Sequence, residues 1–269
     1  MSLTGNTSII TLDDGTKAFR KALANAPAEF FALEAAGLRT LGELGARVPK
    51  VYEVTDEHLI IEQVQAKAQH EVKSPEYTFG HELAQLHLAG QTAAEPNQTF
   101  GTLKGLSHGY LGGAEINLEP TTSLYESLVT NRIIALTRQA VDSGQLDQRA
   151  LELAEQIGPA HLGPAETPTV VHGDLWAGNR LVDDAGASWL IDPSCHWGHR
   201  EEDIAMMQLF GGFGSAVFDA YDQTFPLAEG WQERIPTYQL VPLLVHVLLF
   251  GGGYAAATLR AFEQTLDRQ

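Results

Sequence analysis

Short runs of β-type residues alternate with turn residues over the first part of the chain. Runs typical of strands cover residues 7–12, 16–22, 48–54 and 59–64, and the first two are separated by the hairpin-like Asp13-Asp14-Gly15. After Pro27, apolar residues recur every three or four positions, at Phe31, Ala35, Leu38 and Leu41. This spacing predicts an amphipathic helix with Pro27 in its first turn. The segment therefore predicts a small sheet together with one helix, and this sheet-rich region ends near residue 64.

A helical pattern dominates after residue 64. A helix expected to start at Ser74-Pro75 places Phe79, Leu83 and Leu86 on one face, and further helices are expected over 124–140, 202–210, 214–224, 235–250 and 254–266. Strands nearly vanish here, except for β-type runs at 169–172, 181–182 and 189–192, the last two joined by a turn over 183–186. We therefore expect an α+β chain with a sheet-rich part, residues 1–64, and a mainly helical part, residues 65–269, with an inserted β-hairpin.

Composition narrows the class of partner. The chain has 269 residues, 44% of them hydrophobic, and its 17 Lys and Arg face 34 Asp and Glu, a formal net charge of −17. Such a surface repels nucleic-acid backbones and anionic lipids, so neither partner is expected. A single cysteine rules out an intrachain disulfide, and no run of about 18 apolar residues occurs. We expect a cytoplasmic protein.

The densest group of polar residues in an apolar setting is V-V-H-G-D-L-W-A-G-N-R-L-V, residues 170–182, followed by W-L-I-D-P at 189–193. It places Asp174, Asn179 and Asp192 in short loops at the ends of strands. Phosphoryl transfer needs a carboxylate that orients the attacking hydroxyl and oxygen ligands that hold magnesium on the phosphates. A loop with Asp and Asn, then a hairpin, then an Asp at a strand end is the order found in kinases, so the pattern predicts a phosphoryl-transfer site.

The sheet-rich part offers candidates for binding a nucleotide. Lys21 lies near the end of the second β-run, and Glu34 falls on the inward face of the predicted helix, where an unpaired carboxylate would be costly. We expect the two to pair and hold ATP phosphates, the alternative being two solvated surface side chains. Glu62 and Val64, at the crossing into the helical part, are candidates for backbone contacts with adenine.

Other motifs are weaker. Cys195-His196-Trp197-Gly198-His199 has near metal-site spacing, but no second ligand pair accompanies it, so we expect His196 and His199 to be loop residues. His87 misses the metalloprotease spacing from His81-Glu82, and that helix is expected to be structural. The glycine runs at 211–214 and 251–253 lack a preceding strand and are typical of helix ends.

Taken together, these segments resemble the ketosamine-3-kinases, or fructosamine kinases, within the aminoglycoside-phosphotransferase-like branch of the protein-kinase superfamily. The resemblance rests on V-H-G-D-L-W-A-G-N at 171–179, L-I-D-P-S at 190–194, G-H-R-E-E-D-I-A-M at 198–206 and H-V-L-L-F-G-G-G-Y at 246–254. It implies a two-lobed protein-kinase-like fold that uses ATP and Mg²⁺.

The resemblance also implies roles for individual residues. Asp174 would be the catalytic base, Asn179 and Asp192 the magnesium ligands, Lys21 the phosphate contact and Glu34 its anchor. Trp176 and His246 would face the ketosamine sugar, with a core aromatic residue and a satisfied helix histidine as the alternatives. Asp203 would brace the catalytic loop. Only Gly5-Asn6 stands where the family has its glycine-containing phosphate loop, so we expect the lid over the phosphates to be short or missing.

The expected activity is ATP-dependent phosphorylation of a sugar hydroxyl on ketosamines of the fructosamine or ribulosamine type, free or attached to lysine, as in protein deglycation. Two alternatives stay open. One is a kinase of the same fold that acts on aminoglycosides or choline, and the other is an inactive ATP-binding module that serves protein interaction.

Overall fold

The computed structural model describes residues 5–66 and 76–267. Its first part is a four-stranded antiparallel sheet in the order β1-β2-β4-β3, built from β1 (Asn6–Thr11), β2 (Lys17–Ala22), β3 (Val51–Val54) and β4 (His58–Glu62). The four predicted strands are confirmed. Lys21 stands opposite Thr7 on one side and Leu59 on the other, so β2, one of the two inner strands, carries this lysine into the sheet.

One helix, α1 (Phe30–Glu43), packs on this sheet. Phe31, Ala35 and Leu38 are buried against Leu59 and Ile61 of β4. The helix begins three residues after the predicted start at Pro27, because Glu29 adopts a left-handed conformation with φ of 62°. A residue with that φ cannot continue a right-handed helix, so the regular helix starts after it.

The second part is mainly helical, as predicted. Its α-helices are α2 (Glu76–Ala93), α3 (Ala135–Asp142), α4 (Gln148–Ala154), α5 (Glu201–Leu209), α6 (Ser215–Thr224), α7 (Trp231–Phe250) and α8 (Ala255–Leu266). Helix α2 packs on α6, and α7 packs on both α5 and α8, around one large apolar core. The predicted start of α2 at Ser74-Pro75 lies outside the described residues. Residue 64 as the boundary between the two parts stays a prediction.

The predicted helix over 124–140 has two parts. Residues Glu126–Ile134 form a π-helix, and α3 continues from it. The wider π turn accompanies a fully buried Arg132, whose Nε donates to the carbonyl oxygen of Ser127 at 3.0 Å. A bulky cation placed inside the protein needs such local partners, and apolar periodicity gives no signal for them.

Strands occur after residue 64 more often than predicted. The hairpin of β9 (Arg180–Val182) and β10 (Ser188–Leu190) is confirmed, and β8 (Thr169–Val171) is present. The expectation that strands otherwise vanish was wrong, because β5 (Gly101–Thr102), β6 (His108–Leu111), β7 (Ala114–Asn117) and β11 (His196–Gly198) also form. Strand β11 lies between β5 and β8, so His196 is a strand residue and not the expected loop residue.

Candidate active site

The loop that carries Asp174 follows strand β8, and the buried carboxylate of Asp203 holds its backbone. Asp203 of α5 accepts hydrogen bonds from the backbone N–H of His172 at 2.7 Å and of Gly173 at 2.8 Å. His87 of α2 lies with Nε2 at 3.1 Å from the same carboxylate. The contacts of His172 and His87 are buried and that of Gly173 is partly buried, and hydrogen bonds to a charged group are strong in such surroundings. The expected brace by Asp203 is therefore present.

Gly173 makes this loop possible. Its φ is 79°, which favours glycine, and a Cβ atom there would lie 2.1 Å from the carbonyl oxygen of Ser194. The loop therefore crosses directly over the segment that follows Asp192. This close approach brings the two polar segments of the sequence together.

Asp174 and Asn179 are direct partners. The amide nitrogen of Asn179 donates to the backbone oxygen of Asp174 at 2.8 Å and to its carboxylate at 3.1 Å. Burial raises the pKa of Asp174 to about 7, with the charges of Asp192 and Asp203 acting in the same direction and the Asn179 hydrogen bond acting against it. A carboxylate with a pKa near neutrality suits general-base chemistry near pH 7.

Lys21 contacts two carboxylates, Glu34 from its own sheet-rich part and Asp192 from the helical part. Its Nζ atom lies 2.5 Å from Glu34 Oε1 and 2.5 Å from Asp192 Oδ1. Burial acts to lower the pKa of Lys21, but Glu34 and Asp192 outweigh it and raise the pKa above its usual value, so the lysine stays charged. The predicted contact between Lys21 and Glu34 is present. Asp192 has φ of 56°, a strained conformation of the kind that clusters at functional sites.

These side chains border one cavity of about 440 Å³. Lys21, Glu34, Asp174, Asn179 and Asp192 all line it, and so does Trp176. Its boundary also includes Gly5-Asn6, the segment expected to cover phosphates, and the Gly112-Gly113 turn between β6 and β7. Groups from both lobes therefore meet in a single space.

The remaining candidates lie elsewhere. Glu62 is the last residue of β4, and its N–H donates to Lys50 O at 2.8 Å, while Val64 follows the strand. Neither lines the cavity, and their adenine contacts stay predictions. His246 of α7 also lies outside the lining, in a group of aromatic rings beside Trp176.

The hairpin of β6 and β7 borders the cavity and was not predicted from the sequence. Tyr110 donates its hydroxyl to Ala28 O at 3.1 Å, and its backbone oxygen accepts from Ser194 Oγ at 2.6 Å. Its ring also packs against Phe30 at the start of α1, with ring centroids 5.2 Å apart. Two glycines between short runs, here Gly112-Gly113, are a hairpin signal that could have revealed this element.

Neither a zinc site nor a membrane span appears in the parts of the chain that the structure describes. No cluster of three or more His, Cys, Asp or Glu side chains there can hold a metal ion. His196 instead contacts Glu202 at 3.1 Å, and Cys195 is half-buried beside Gly37. No helix within residues 5–66 and 76–267 is long and apolar enough to cross a bilayer.

The fold is that of the aminoglycoside phosphotransferases and protein kinases. The gentamicin–APH(2")-IIa complex superposes with a TM-score of 0.62 over all of this chain and 90% of that chain, at 13% identity, a likeness that concerns the fold alone. The family model for fructosamine kinases matches residues 4–268, so the chain belongs to the fructosamine kinase family. It is therefore a kinase-type phosphotransferase, and the resemblance found in the sequence is confirmed.

Individual relatives agree over nearly the whole chain. A probable ketoamine kinase of Enterococcus faecium is 33% identical over 253 residues, which cover 91% of this chain and 86% of that protein. A probable ketoamine kinase of Thermus thermophilus is 35% identical over 251 residues, which cover 90% of this chain and 85% of that protein. A solved structure from Thermobifida fusca, assigned to the fructosamine-3-kinases, has a TM-score of 0.87 and 39% identity, covering 97% of this chain and 90% of that one.

Proposed function

We propose that this kinase transfers the γ-phosphoryl group of ATP, with Mg²⁺, to a sugar hydroxyl of a ketosamine of the fructosamine or ribulosamine type, either free or attached to a lysine side chain. The observation that carries the proposal is the shared cavity, in which Asp174, Asn179, Asp192 and the Lys21–Glu34 pair converge from two lobes. Membership of the fructosamine kinase family and the names of the ketoamine kinase relatives support the substrate class.

Asp174 would align the attacking hydroxyl and accept its proton. Its carboxylate is fixed by Asn179 and by the loop that Asp203 holds, so it would meet the substrate without rearranging. Lys21 would contact the phosphates of ATP, with Glu34 holding the ammonium group in place. Trp176, which lines the cavity two residues after Asp174, would face the sugar. His246, outside the lining, would face it from helix α7 in the group of rings that includes Trp176.

The residues present suit a magnesium ion. Asp192 offers a partly exposed carboxylate, and the amide nitrogen of Asn179 is committed to Asp174, which leaves its oxygen as the ligand atom. Mg²⁺ typically takes one or two protein oxygens and completes its shell with phosphates and water. When bound, the ion would neutralise charge on the transferred phosphate.

An ADP-release assay tests the proposal. Fructosamine, ribulosamine and glycated lysine are expected to cause ATP consumption that stops when EDTA removes Mg²⁺. ATP consumption with aminoglycosides or choline but with no ketosamine would overturn the substrate class, and ATP binding without any turnover would favour an inactive module.

A variant tests the assignment of the base. Asp174→Asn keeps the side-chain shape but cannot accept a proton, so kcat is expected to fall about 10²- to 10⁴-fold while calorimetric ATP binding persists. The exposed Asp219→Asn, on helix α6, is the matched control and should keep wild-type activity. Unchanged kcat in Asp174→Asn would remove this residue from the role of base.

A further inference from the structure

Five aromatic side chains form a continuous group beside the catalytic loop. This aromatic patch consists of Trp176, Phe210, His246, Phe250 and Tyr254. Phe210 lies 6.5 Å from Trp176 and 4.9 Å from His246, measured between ring centroids. His246 in turn lies 5.4 Å from Phe250 and 4.8 Å from Tyr254. The patch therefore extends from the rim of the cavity, which Trp176 lines, across the ends of helices α5 and α7.

The patch is open to solvent. Trp176 is 41% exposed, Phe210 42% and Phe250 57%, and these are three of the six large hydrophobic side chains that are exposed among the described residues. Single exposed hydrophobic side chains are ordinary, but several in contact with one another mark a binding surface. Trp176 contacts Phe210, and His246 lies between Phe210 and Phe250 and joins them.

His246 adds a hydrogen-bond acceptor to the patch. Its Nδ1 atom lies 2.7 Å from Pro242 O, and because a carbonyl oxygen only accepts, Nδ1 carries the proton. Burial lowers the pKa of His246, which keeps the ring neutral near pH 7. The other nitrogen, Nε2, is therefore free of a proton and can accept one hydrogen bond from a ligand N–H group.

We propose that the aromatic patch binds the alkyl substituent on the ketosamine nitrogen, such as the side chain of a glycated lysine. The inference rests on the proposed function. In a ketosamine, the amine and the reacting hydroxyl share one short carbon chain, so a hydroxyl at Asp174 places the nitrogen a few bonds away, at the Trp176 rim. A substituent that leaves the cavity there meets Phe210 and then Phe250.

The chemistry of the patch fits this occupant. Aromatic faces attract ammonium groups, and their apolar area also packs against an alkyl chain. The neutral Nε2 of His246 can accept from the ammonium N–H. A formal net charge of −17 adds a general attraction for a cation and would repel an anionic substituent.

The test compares two substrates with the same sugar. Fructosamine has no substituent on nitrogen, whereas Nα-acetylated fructosyl-lysine carries a long alkyl chain there. In the Phe210→Ala/Phe250→Ala double variant, kcat/KM for fructosyl-lysine is expected to fall about tenfold, mainly through KM. The kcat/KM for fructosamine is expected to change by less than about twofold, and so is the KM for ATP.

Two further variants sharpen the result. Leu88→Ala removes an exposed apolar side chain from helix α2, away from the patch, and should leave both substrates unaffected. The Phe210→Leu/Phe250→Leu variant keeps apolar bulk without an aromatic face, and full recovery of fructosyl-lysine kinetics in it would overturn recognition by aromatic faces.

The outcomes separate this inference from the function on which it rests. Equal losses for both substrates in the alanine variant would mean that the patch supports the catalytic loop, and no loss for either would mean that nothing binds it, so each would overturn the inference. If the wild-type enzyme phosphorylates neither substrate, the proposed function itself fails.

Discussion

The carboxylate of Asp203 holds the loop that carries Asp174. It accepts from two consecutive backbone N–H groups, those of His172 and Gly173, and contacts His87. Asp203→Asn keeps the size of the side chain but replaces one acceptor oxygen with an NH₂ donor. One of the two backbone N–H groups would then face another donor inside the protein.

The cost can be worked out from these contacts. A buried donor without a partner costs about 1–3 kcal/mol, and hydrogen bonds to a charged group contribute about 1.5–3 kcal/mol each. We therefore expect the variant to lose about 3 kcal/mol of unfolding free energy, within the 5–15 kcal/mol typical of a folded protein. The loop can relieve the clash only by moving, and a shift of about 1 Å in Asp174 would lower kcat about 100-fold.

Urea denaturation and steady-state kinetics on the same preparation measure both effects. Asp219→Asn makes the same chemical change on the exposed face of α6 and should alter neither. A variant at Asp203 that loses stability but keeps kcat would show that the brace only supports the fold. Wild-type values for both quantities would refute the reasoning.

Two further predictions concern the same region. Gly211 has φ of 71° and open space around it, so Gly211→Ala should lower the unfolding free energy by about 1 kcal/mol and leave kcat unchanged. In Gly173→Ala the new Cβ would lie 2.1 Å from Ser194 O, so the loop should be displaced and kcat should fall at least about 100-fold. Equal effects of the two variants on kcat would contradict this reasoning. Burial acts to raise the pKa of Glu202, but Arg132 and His196 outweigh it and hold that pKa well below its usual range. The stability that Glu202 contributes is therefore fully present above its unfolded pKa of about 4.3 and is lost as the pH falls below that value. Glu202→Gln should therefore flatten the fall in unfolding free energy between about pH 4.5 and 2, and parallel curves from stepped-pH denaturation would argue against it.

Local patterns were sufficient for the elements that bury one face. The spacing of Phe31, Ala35 and Leu38 predicted helix α1, and its inward Glu34 predicted a cation partner that proved to be Lys21. Asp174, Asn179 and Asp192 were also singled out from sequence as oxygen ligands in loops between short strands, and the structure places all three on one cavity, while their roles stay predictions. These inferences worked because each depends on residues close together in the chain.

Contacts between distant segments could not be predicted in this way. His87 lies 116 positions from Asp203, and Tyr110 lies 84 positions from Ser194. Short strands such as β11 form only because partners from other parts of the chain complete their hydrogen bonds. A buried histidine on an apolar helix face has no sequence signal that separates it from an ordinary core residue.

The ion pairs around helix α5 differ in exposure from the Lys21–Asp192 pair at the cavity. Arg132–Glu202, Arg200–Glu166 and Arg234–Glu201 lie at 2.6, 2.7 and 2.6 Å, each with its arginine almost fully buried, and Asp203 follows the two α5 glutamates directly. Removing one partner from such a pair is expensive, so these contacts fix a single arrangement of α5 and its surroundings. The Asp192 side chain that pairs with Lys21 is instead 45% exposed. Water or a ligand can therefore replace this ion pair at little cost in free energy. The buried ion pairs thus fix helix α5, whose Asp203 holds the loop that carries Asp174. The exposed Lys21–Asp192 pair, in contrast, can exchange its partners when a ligand binds.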